Sequence, residues 1–242
     1  MFNGLTTKEM KKLLLILLCF PMIGFGQDGS LTAADYFDRA YYNSSDWQYQ
    51  IDNYTQAIRI DPEKILAYFN RAIVYKELGN YKDAIDDYSK AIRIEPYYVD
   101  AYINRGYIYE ELGNYKDAID DYSIAIRFDP DNITAYFNRA NIYKDLGNYK
   151  DAIDDYSKAI RIDPNDASAY FNRGIVYYSL GNYNDAVDDF SRTIRIDPNY
   201  ASAYSNRGIT NKKAGLPYCS DLKRACDLGK EVCCEWYYKQ CR

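Results

Sequence analysis

An all-α chain of stacked antiparallel helix pairs is the fold class this sequence predicts, and three observations predict it. Pro62, Pro96, Pro130, Pro164 and Pro198 recur at a step of 34 residues. Gly79, Gly113, Gly147, Gly181 and Gly215 keep the same step, as do Asn70, Asn104, Asn138, Asn172 and Asn206. Within each period, apolar side chains fall at helical spacing twice, once before the glycine and once after it. A helix pair of this size cannot bury its apolar faces alone, so successive copies are expected to stack into a solenoid.

The chain opens with a different kind of segment. Lys11 and Lys12 precede an apolar run from Leu13 to Phe25, about 13 residues, followed by small residues. That is the anatomy of a secretory signal peptide. A spanning helix needs roughly 20 apolar residues, so a retained anchor is the weaker reading. Residues 1–26 are read as the signal, with cleavage near Gly26–Gln27 and Met10 as a plausible start. Cys19 raises the alternative of a lipoprotein, but Leu18 before it is not the small residue lipidation wants. Cleavage leaves 27 basic and 34 acidic residues, a formal charge of −7 against −5 for the whole chain. No other segment approaches membrane length, so the processed chain is not expected to span a membrane. The expected location is the periplasm or the cell exterior.

Residues 27–34 read as a short linker, and residues 35–66 as a degenerate first copy. Tyr36 to Tyr54 spans 18 residues, whereas Tyr68 to Tyr88 spans 20. Ser44-Ser45 replaces Leu-Gly and Trp47 replaces the tyrosine after the turn. Terminal copies of solenoids are commonly atypical because they face solvent on one side. Four full repeats follow, at 67–100, 101–134, 135–168 and 169–202. In the first of them, Tyr68, Ala72, Tyr75 and Leu78 form one stripe, and Tyr81, Ala84, Ile85, Tyr88, Ala91 and Ile92 another. Gly79-Asn80 ends the first helix and Pro96 prevents continuation of the second. Arg71, Arg105, Arg139, Arg173 and Arg207 recur with an Asp-Asp pair such as Asp86-Asp87. Their recurrence predicts one structural Arg–Asp bridge per repeat.

Residues 203–242 read as a partial repeat closed by a cysteine-rich cap. Cysteine is absent between residues 20 and 218, and five then fall in the last 24 residues. A helix ending at Leu228-Gly229 and another over Glu231 to Cys241 make a hairpin whose facing residues have a constant index sum. Cys219 with Cys241 and Cys226 with Cys234 share that sum, and each pair of cysteines on one helix sits two turns apart. Disulfides Cys219–Cys241 and Cys226–Cys234 are therefore predicted, with Cys233 in place of Cys234 as the competing choice. A zinc site would want closely spaced Cys-x2-4-Cys knuckles, so no metal is predicted. An exported chain favours disulfides.

Composition bounds the function. The chain has no histidine, which excludes His-dependent triads, proton shuttles and His-rich metal sites. An acidic chain is poorly suited to nucleic acid. Neighbouring aspartates on a helix diverge by about 100° and make no acid/base dyad. No phosphate loop or nucleophile elbow is present. No enzyme activity, small-molecule substrate or cofactor is expected. Of the 29 tyrosines, 18 fall in four repeat columns, headed by Tyr36, Tyr75, Tyr81 and Tyr54, and read as core rather than as binding residues.

The repeat resembles the tetratricopeptide repeat, on its aromatic opener, Leu-Gly turn, following aromatic, spaced alanines and closing proline. The resemblance covers about residues 35–216. The arginine column departs from it, standing where leucine is more usual. The cap stretch Ala225-Cys-Asp-Leu-Gly is similar to the disulfide-bonded Sel1-like relatives of that family. The resemblance implies a right-handed superhelix whose first helices line a concave groove for protein partners. Read onto this sequence, the groove carries the asparagine column Asn70, Asn104, Asn138, Asn172 and Asn206, beside Phe69, Ile103, Phe137, Phe171 and Ser205. One turn on come Ile73, Tyr107, Asn141, Ile175 and Ile209, then Lys76, Glu110, Lys144, Tyr178 and Lys212. A ladder of amides both donates to and accepts from a peptide backbone, with flanking aromatics as pockets. The competing reading is that each asparagine serves repeat packing or caps a backbone group. The lysines that some relatives use beside such asparagines to clamp acidic chaperone tails are replaced here by Phe69, Phe137 and Phe171, so that ligand is not expected. The alternative role is a structural or assembly component acting through convex or end surfaces or by self-association.

Overall fold

A computed structural model describes residues 30–43 and 45–241. The predicted signal segment, its cleavage position and Cys19 lie outside the described residues, as do residues 27–29 of the predicted linker, Ser44 and Arg242. The described residues form α-helices and no β-strand. They divide into two compact units, one ending at Tyr98 and the other beginning at Val99.

The first unit holds α1 (Ala33–Tyr42), α2 (Trp47–Ile60), α3 (Ile65–Glu77) and α4 (Tyr81–Ile94), with neighbours in sequence packed on one another. Thr32 starts α1 with a reciprocal cap: its hydroxyl accepts from Asp35 N–H at 3.2 Å, and Asp35 Oδ2 accepts from Thr32 N–H at 2.8 Å. Asp46 caps α2 through Tyr49 N–H. Gly79 takes φ 76° after α3, the left-handed conformation in which its N–H reaches Lys76 O and Asn80 N–H reaches Tyr75 O. The core joins Ala40, Tyr54, Ala57, Ala67 and Val74.

The second unit holds α5 (Val99–Glu111), α6 (Tyr115–Phe128), α7 (Ile133–Asp145), α8 (Tyr149–Ile162), α9 (Ala167–Ser179), α10 (Tyr183–Ile196), α11 (Ala201–Lys213), α12 (Cys219–Asp227) and α13 (Glu231–Gln240). Each helix packs on the next, and α5, α7, α9 and α11 also touch in succession. The alanines at the close crossings, among them Ala140, Ala152 and Ala159, are fully buried. Tyr122 and Tyr156 fill the space these small residues leave and are equally buried. At two crossings even alanine is too large for an undisturbed ring: a Cβ on Gly174 would lie 2.9 Å from Phe190, and one on Gly106 3.0 Å from Tyr122.

Two expectations about the stripes change. Leu78 was expected on the buried stripe of the first helix, yet it is 47% exposed, as are Leu112 and Leu180. The residue sits at the C-cap, where the chain turns away from the helix axis and carries its side chain off the packed face. Val74, one turn earlier, is buried in its place. The tyrosine column after the turn is half-buried, with Tyr115 exposed, while the Tyr88 column is fully buried.

The arginine column forms the predicted bridge in five repeats. Arg71–Asp87, Arg105–Asp121, Arg139–Asp155, Arg173–Asp189 and Arg207–Asp221 are each two-pronged, with Nε and Nη2 at 2.7–2.8 Å from the two carboxylate oxygens. Only the second aspartate of each pair is used, and its neighbour, such as Asp86 or Asp154, is exposed. The third guanidinium nitrogen reaches back to the preceding helix pair: Arg139 Nη1 donates to Ser123 at 2.7 Å, and Arg173 Nη1 to Ser157 at 2.8 Å. Two tyrosine rings flank four of these cations, Tyr136 and Tyr143 standing 6.0 and 5.8 Å from Arg139, and Tyr204 stands 5.7 Å from Arg207. One side chain therefore ties its own hairpin together and fastens it to the hairpin before. In the degenerate copy Asn53 stands where the aspartate would be, and its amide donates to Tyr49 O instead.

At the end of the second unit, the sulfurs of Cys219 and Cys241 lie 1.92 Å apart and those of Cys226 and Cys234 1.97 Å apart, disulfide distances. Cys233 is free and buried beside Leu222 and Ala225, with its Sγ 3.1 Å from Ser205 Oγ.

Candidate functional site

The predicted groove residues fall on the first helix of each pair, and the structure distinguishes sharply among them. All five asparagines are half-buried. Asn70, Asn104 and Asn172 each donate Nδ2 to the carbonyl one turn back, Leu66, Asp100 and Ser168, at 2.7–2.9 Å. Asn172 Oδ1 also accepts from Lys144 Nζ at 3.3 Å. Asn138 lies against the Tyr122 hydroxyl. Asn70, Asn104 and Asn172 thus have part of their capacity committed to their own protein. The Asn206 side chain makes no such bond among the described residues, and it lines a cavity.

The phenylalanines are equally engaged. Phe69 lies 5.6 Å from Tyr88 and 4.9 Å from Tyr98. Phe137 lies 5.7 Å from Tyr156, and Phe171 lies 5.8 Å from Phe190 and 4.9 Å from Tyr200. These half-buried rings wall the face rather than project from it. Tyr107 projects most, at 43% exposed. Asn141 Oδ1 accepts from the Tyr156 hydroxyl at 2.6 Å.

A floor of buried aromatics runs beneath this face, formed by the Tyr54 column that the helical spacing assigns to the core. Tyr122 donates to Glu110 Oε2 at 3.0 Å. Burial pushes the Glu110 carboxyl up, and the Tyr122 hydrogen bond offsets only part of that. Burial likewise raises the Tyr122 and Tyr156 hydroxyls well above their ordinary value. These phenols stay neutral and donate. In the first unit the corresponding Tyr88 hydroxyl is buried with no partner among the described residues.

In the next repeat the floor residue is Phe190. There α9, α10 and α11 line a cavity of about 270 Å³ that opens to solvent, formed by Ile175, Tyr178, Phe190, Asn206, Ile209 and Thr210. The structure therefore brings two predicted site residues, Asn206 and Tyr178, to one cavity with Ile175 and Ile209 from the same columns. It leaves Asn70 and Phe69 in the first unit, apart from that cavity. Phe190 and Thr210 were missed. The available signal for Phe190 was its departure from the column Tyr54, Tyr88, Tyr122, Tyr156.

Among the described residues no group of three or more cysteines, aspartates or glutamates is placed to hold a metal ion. No helix among them is long and apolar enough to cross a membrane.

Known proteins show the same architecture. Sequence models described as "Tetratricopeptide repeat" match residues 65–98, 88–120 and 167–200, and one described as "TPR repeat" matches 106–147 and 140–181. No curated protein matches the sequence significantly. Among solved structures, YrrB, described as a TPR protein with an unusual peptide-binding site, is 24% identical with a TM-score of 0.67, over 77% of this chain and 97% of that one. A tetratricopeptide repeat protein from Parabacteroides merdae is 20% identical with a TM-score of 0.67, over 85% and 97%. The MamA protein is 24% identical with a TM-score of 0.64, over 70% and 94%. Identities this low speak to the fold, which they share with the helix pairs described above. With repeat matches running unbroken from residue 65 to residue 200, the chain belongs to the tetratricopeptide repeat family.

Proposed function

We propose that this chain is an exported scaffold that binds an extended segment of a partner protein along the face formed by its first helices. The observation that carries the reading is the cavity lined by Asn206, whose amide has no hydrogen-bond partner among the described residues. The amides of Asn138 and Asn172 extend the same row toward the preceding repeats. An Asn side chain offers two donors and an acceptor with two lone pairs, so an intrahelical bond still leaves capacity for a peptide. Each peptide bond adds about 0.5–1.5 kcal/mol, and affinity therefore requires several contacts together. The relative described as having a peptide-binding site supports the reading. Export rests on the signal-like segment and on cysteines at disulfide distance, which suit an oxidising compartment. No catalysis is proposed.

The test uses 12-residue peptides selected from a random display library on the exported protein. Replacing Asn138 and Asn172 together with alanine is expected to weaken the selected peptides about tenfold or more, the equivalent of at least 1.4 kcal/mol, at unchanged helicity. A fall in melting temperature with unchanged peptide affinity would show that the asparagines serve packing instead.

A second reading, assembly through an end surface, has one observation in its favour. On α13, Val232, Trp236 and Tyr238 are exposed on the terminal helix, where a further repeat would otherwise pack. Light scattering at increasing concentration decides it: a monomer at every concentration removes self-association.

A further inference from the structure

The cavity of the second unit is a local exception to a rule that its neighbours obey. One repeat earlier, the floor tyrosine Tyr156 donates to Asn141. Two repeats earlier, Tyr122 donates to Glu110. At the cavity both partners have changed: Phe190 has no hydroxyl, and Ile175 stands in the column of Asn141. The polar pair has become a pair of apolar walls. Thr210 presents no free donor, because its hydroxyl is spent on Asn206 O at 2.6 Å. The polar groups left at the cavity are the Asn206 amide and the Tyr178 hydroxyl.

We propose that this cavity receives one large apolar side chain, aliphatic or aromatic, of an extended peptide, while the Asn206 amide holds the peptide backbone beside it. The proposal rests on the groove reading above and adds the chemistry of the anchor residue. Size supports a side chain over a free ligand: about 270 Å³ lies just below the range of roughly 300–1,000 Å³ for sites that enclose a whole small molecule. Chemistry supports an apolar one. A hydroxyl or charge set between Ile175, Phe190 and Ile209 would exchange water for apolar walls, with only the Asn206 amide and the Tyr178 hydroxyl near enough to compensate. An amide at the rim answers the remaining need of a peptide, whose N–H and C=O must be paired once the adjoining side chain is buried. Anchors of this kind, one side chain in a desolvated pocket, carry most of the affinity of small interfaces.

The experiment takes the display-selected 12-residue peptides on the exported protein and measures their affinities by fluorescence anisotropy. The selected peptides are expected to share one Leu, Ile, Met or Phe position, and alanine there to weaken binding about tenfold or more. The double variant Ile175→Asn with Phe190→Tyr copies the Tyr156–Asn141 pair, which the fold already accommodates. It is expected to abolish the preference for the apolar residue, and Phe190→Tyr alone to reduce it. Asn206→Ala is expected to weaken all the peptides alike. Peptides with no common apolar position, or unaffected by the double variant while still weakened by the Asn138 and Asn172 replacements, overturn the pocket and leave the groove standing. Peptides indifferent to both sets, or no selected peptides at all, overturn the pocket and the groove together.

Discussion

Replacing Asp155 with alanine isolates what the arginine column contributes. In the native chain Arg139 meets Asp155 through two bonds of 2.8 Å, with the aspartate side chain 8% exposed and the arginine 17%. The replacement leaves a guanidinium that keeps Ser123 and two tyrosine rings but has no counter-charge. Breaking one side of a buried ion pair costs about 3–5 kcal/mol. Partial exposure of Arg139 and its remaining partners place the expected value near the lower end, about 3 kcal/mol. For a chain of this size each kcal/mol moves the melting temperature by about 2–4 °C, so a fall of about 6–12 °C is expected. The exposed neighbour supplies the control, because Asp154→Ala changes one formal charge at the adjacent position without touching the bridge and should stay within about 0.5 kcal/mol. Replacing both partners, Arg139→Met with Asp155→Leu, should recover most of the loss, since a buried ion pair exchanged for apolar groups is often neutral. Urea unfolding followed by circular dichroism gives the energies. Hydrogen exchange over 149–162 shows whether the loss is local to α8, as nearest-neighbour coupling in a repeat array requires. Equal melting temperatures for Asp154→Ala and Asp155→Ala would refute the bridge as a structural element.

The same aspartates give a pH dependence. Burial raises the carboxyls of Asp87, Asp121, Asp155 and Asp189 above 3.8, and the arginine hydrogen bonds recover only part of that; a raised folded value favours the native state at low pH, and the contribution is lost as pH rises from 3.8 through the folded value. The cost of Asp155→Asn should therefore be greater near pH 4 than at pH 7 in urea titrations, and the opposite sign would show that Arg139 outweighs burial. Tyr122→Phe is expected to cost about 0.5–1.5 kcal/mol by removing the bond to Glu110, whereas Tyr88→Phe, which removes a buried hydroxyl without a partner, should be neutral or stabilising; equal losses in chemical denaturation would contradict the difference. Reduction of the cap should remove about 3.4 kcal/mol of loop constraint for the pair separated by 22 residues and about 2.6 kcal/mol for the pair separated by 8. Amide exchange is then expected to accelerate across α12 and α13 and to leave α5–α10 unchanged.

The architecture was legible because it is periodic. Tyr88, Tyr122 and Tyr156 reveal their burial by standing seven residues after Tyr81, Tyr115 and Tyr149 and between spaced alanines, and a turn that needs positive φ reveals itself as glycine. The arginine column was equally legible as a pairing, but the choice of Asp155 over Asp154 comes from rotation about the helix axis, which carries one of two adjacent residues inward. Leu78 misled because helical spacing continues through the C-cap on paper, whereas in the chain the axis ends there. Asp221 as the fifth partner was hidden by the shorter connection from α11 to α12, which places it 14 residues after Arg207 where the others stand 16 apart. Least legible were the asparagines. A column that recurs at every step says that the residue matters and not to whom, and Asn70, Asn104 and Asn172 turned out to share a bond to their own helix.

This asymmetry between periodic and aperiodic positions bears on where recognition resides. A feature present in every repeat is under the same demands in every repeat, and here those demands are met internally: Arg139 by Asp155 and Ser123, Tyr156 by Asn141, Asn172 by Ser168 and Lys144. Side chains satisfied in this way have little left to offer a partner. Capacity for a ligand opens where one member of a repeated pair is lost. Phe190 is such a loss, and so is Ile175: together they lack the hydrogen bond that joins Tyr156 to Asn141, and both line the cavity with Asn206. The alternative, that the Phe190 change is drift without consequence, makes a different physical prediction. A tolerated loss gives no reason for a peptide to place an apolar residue there in preference to a polar one. The pocket between α9, α10 and α11 has Ile175 and Ile209 at its walls, and an apolar side chain supplied from outside would remove their surface from water at about 25 cal/mol per Å².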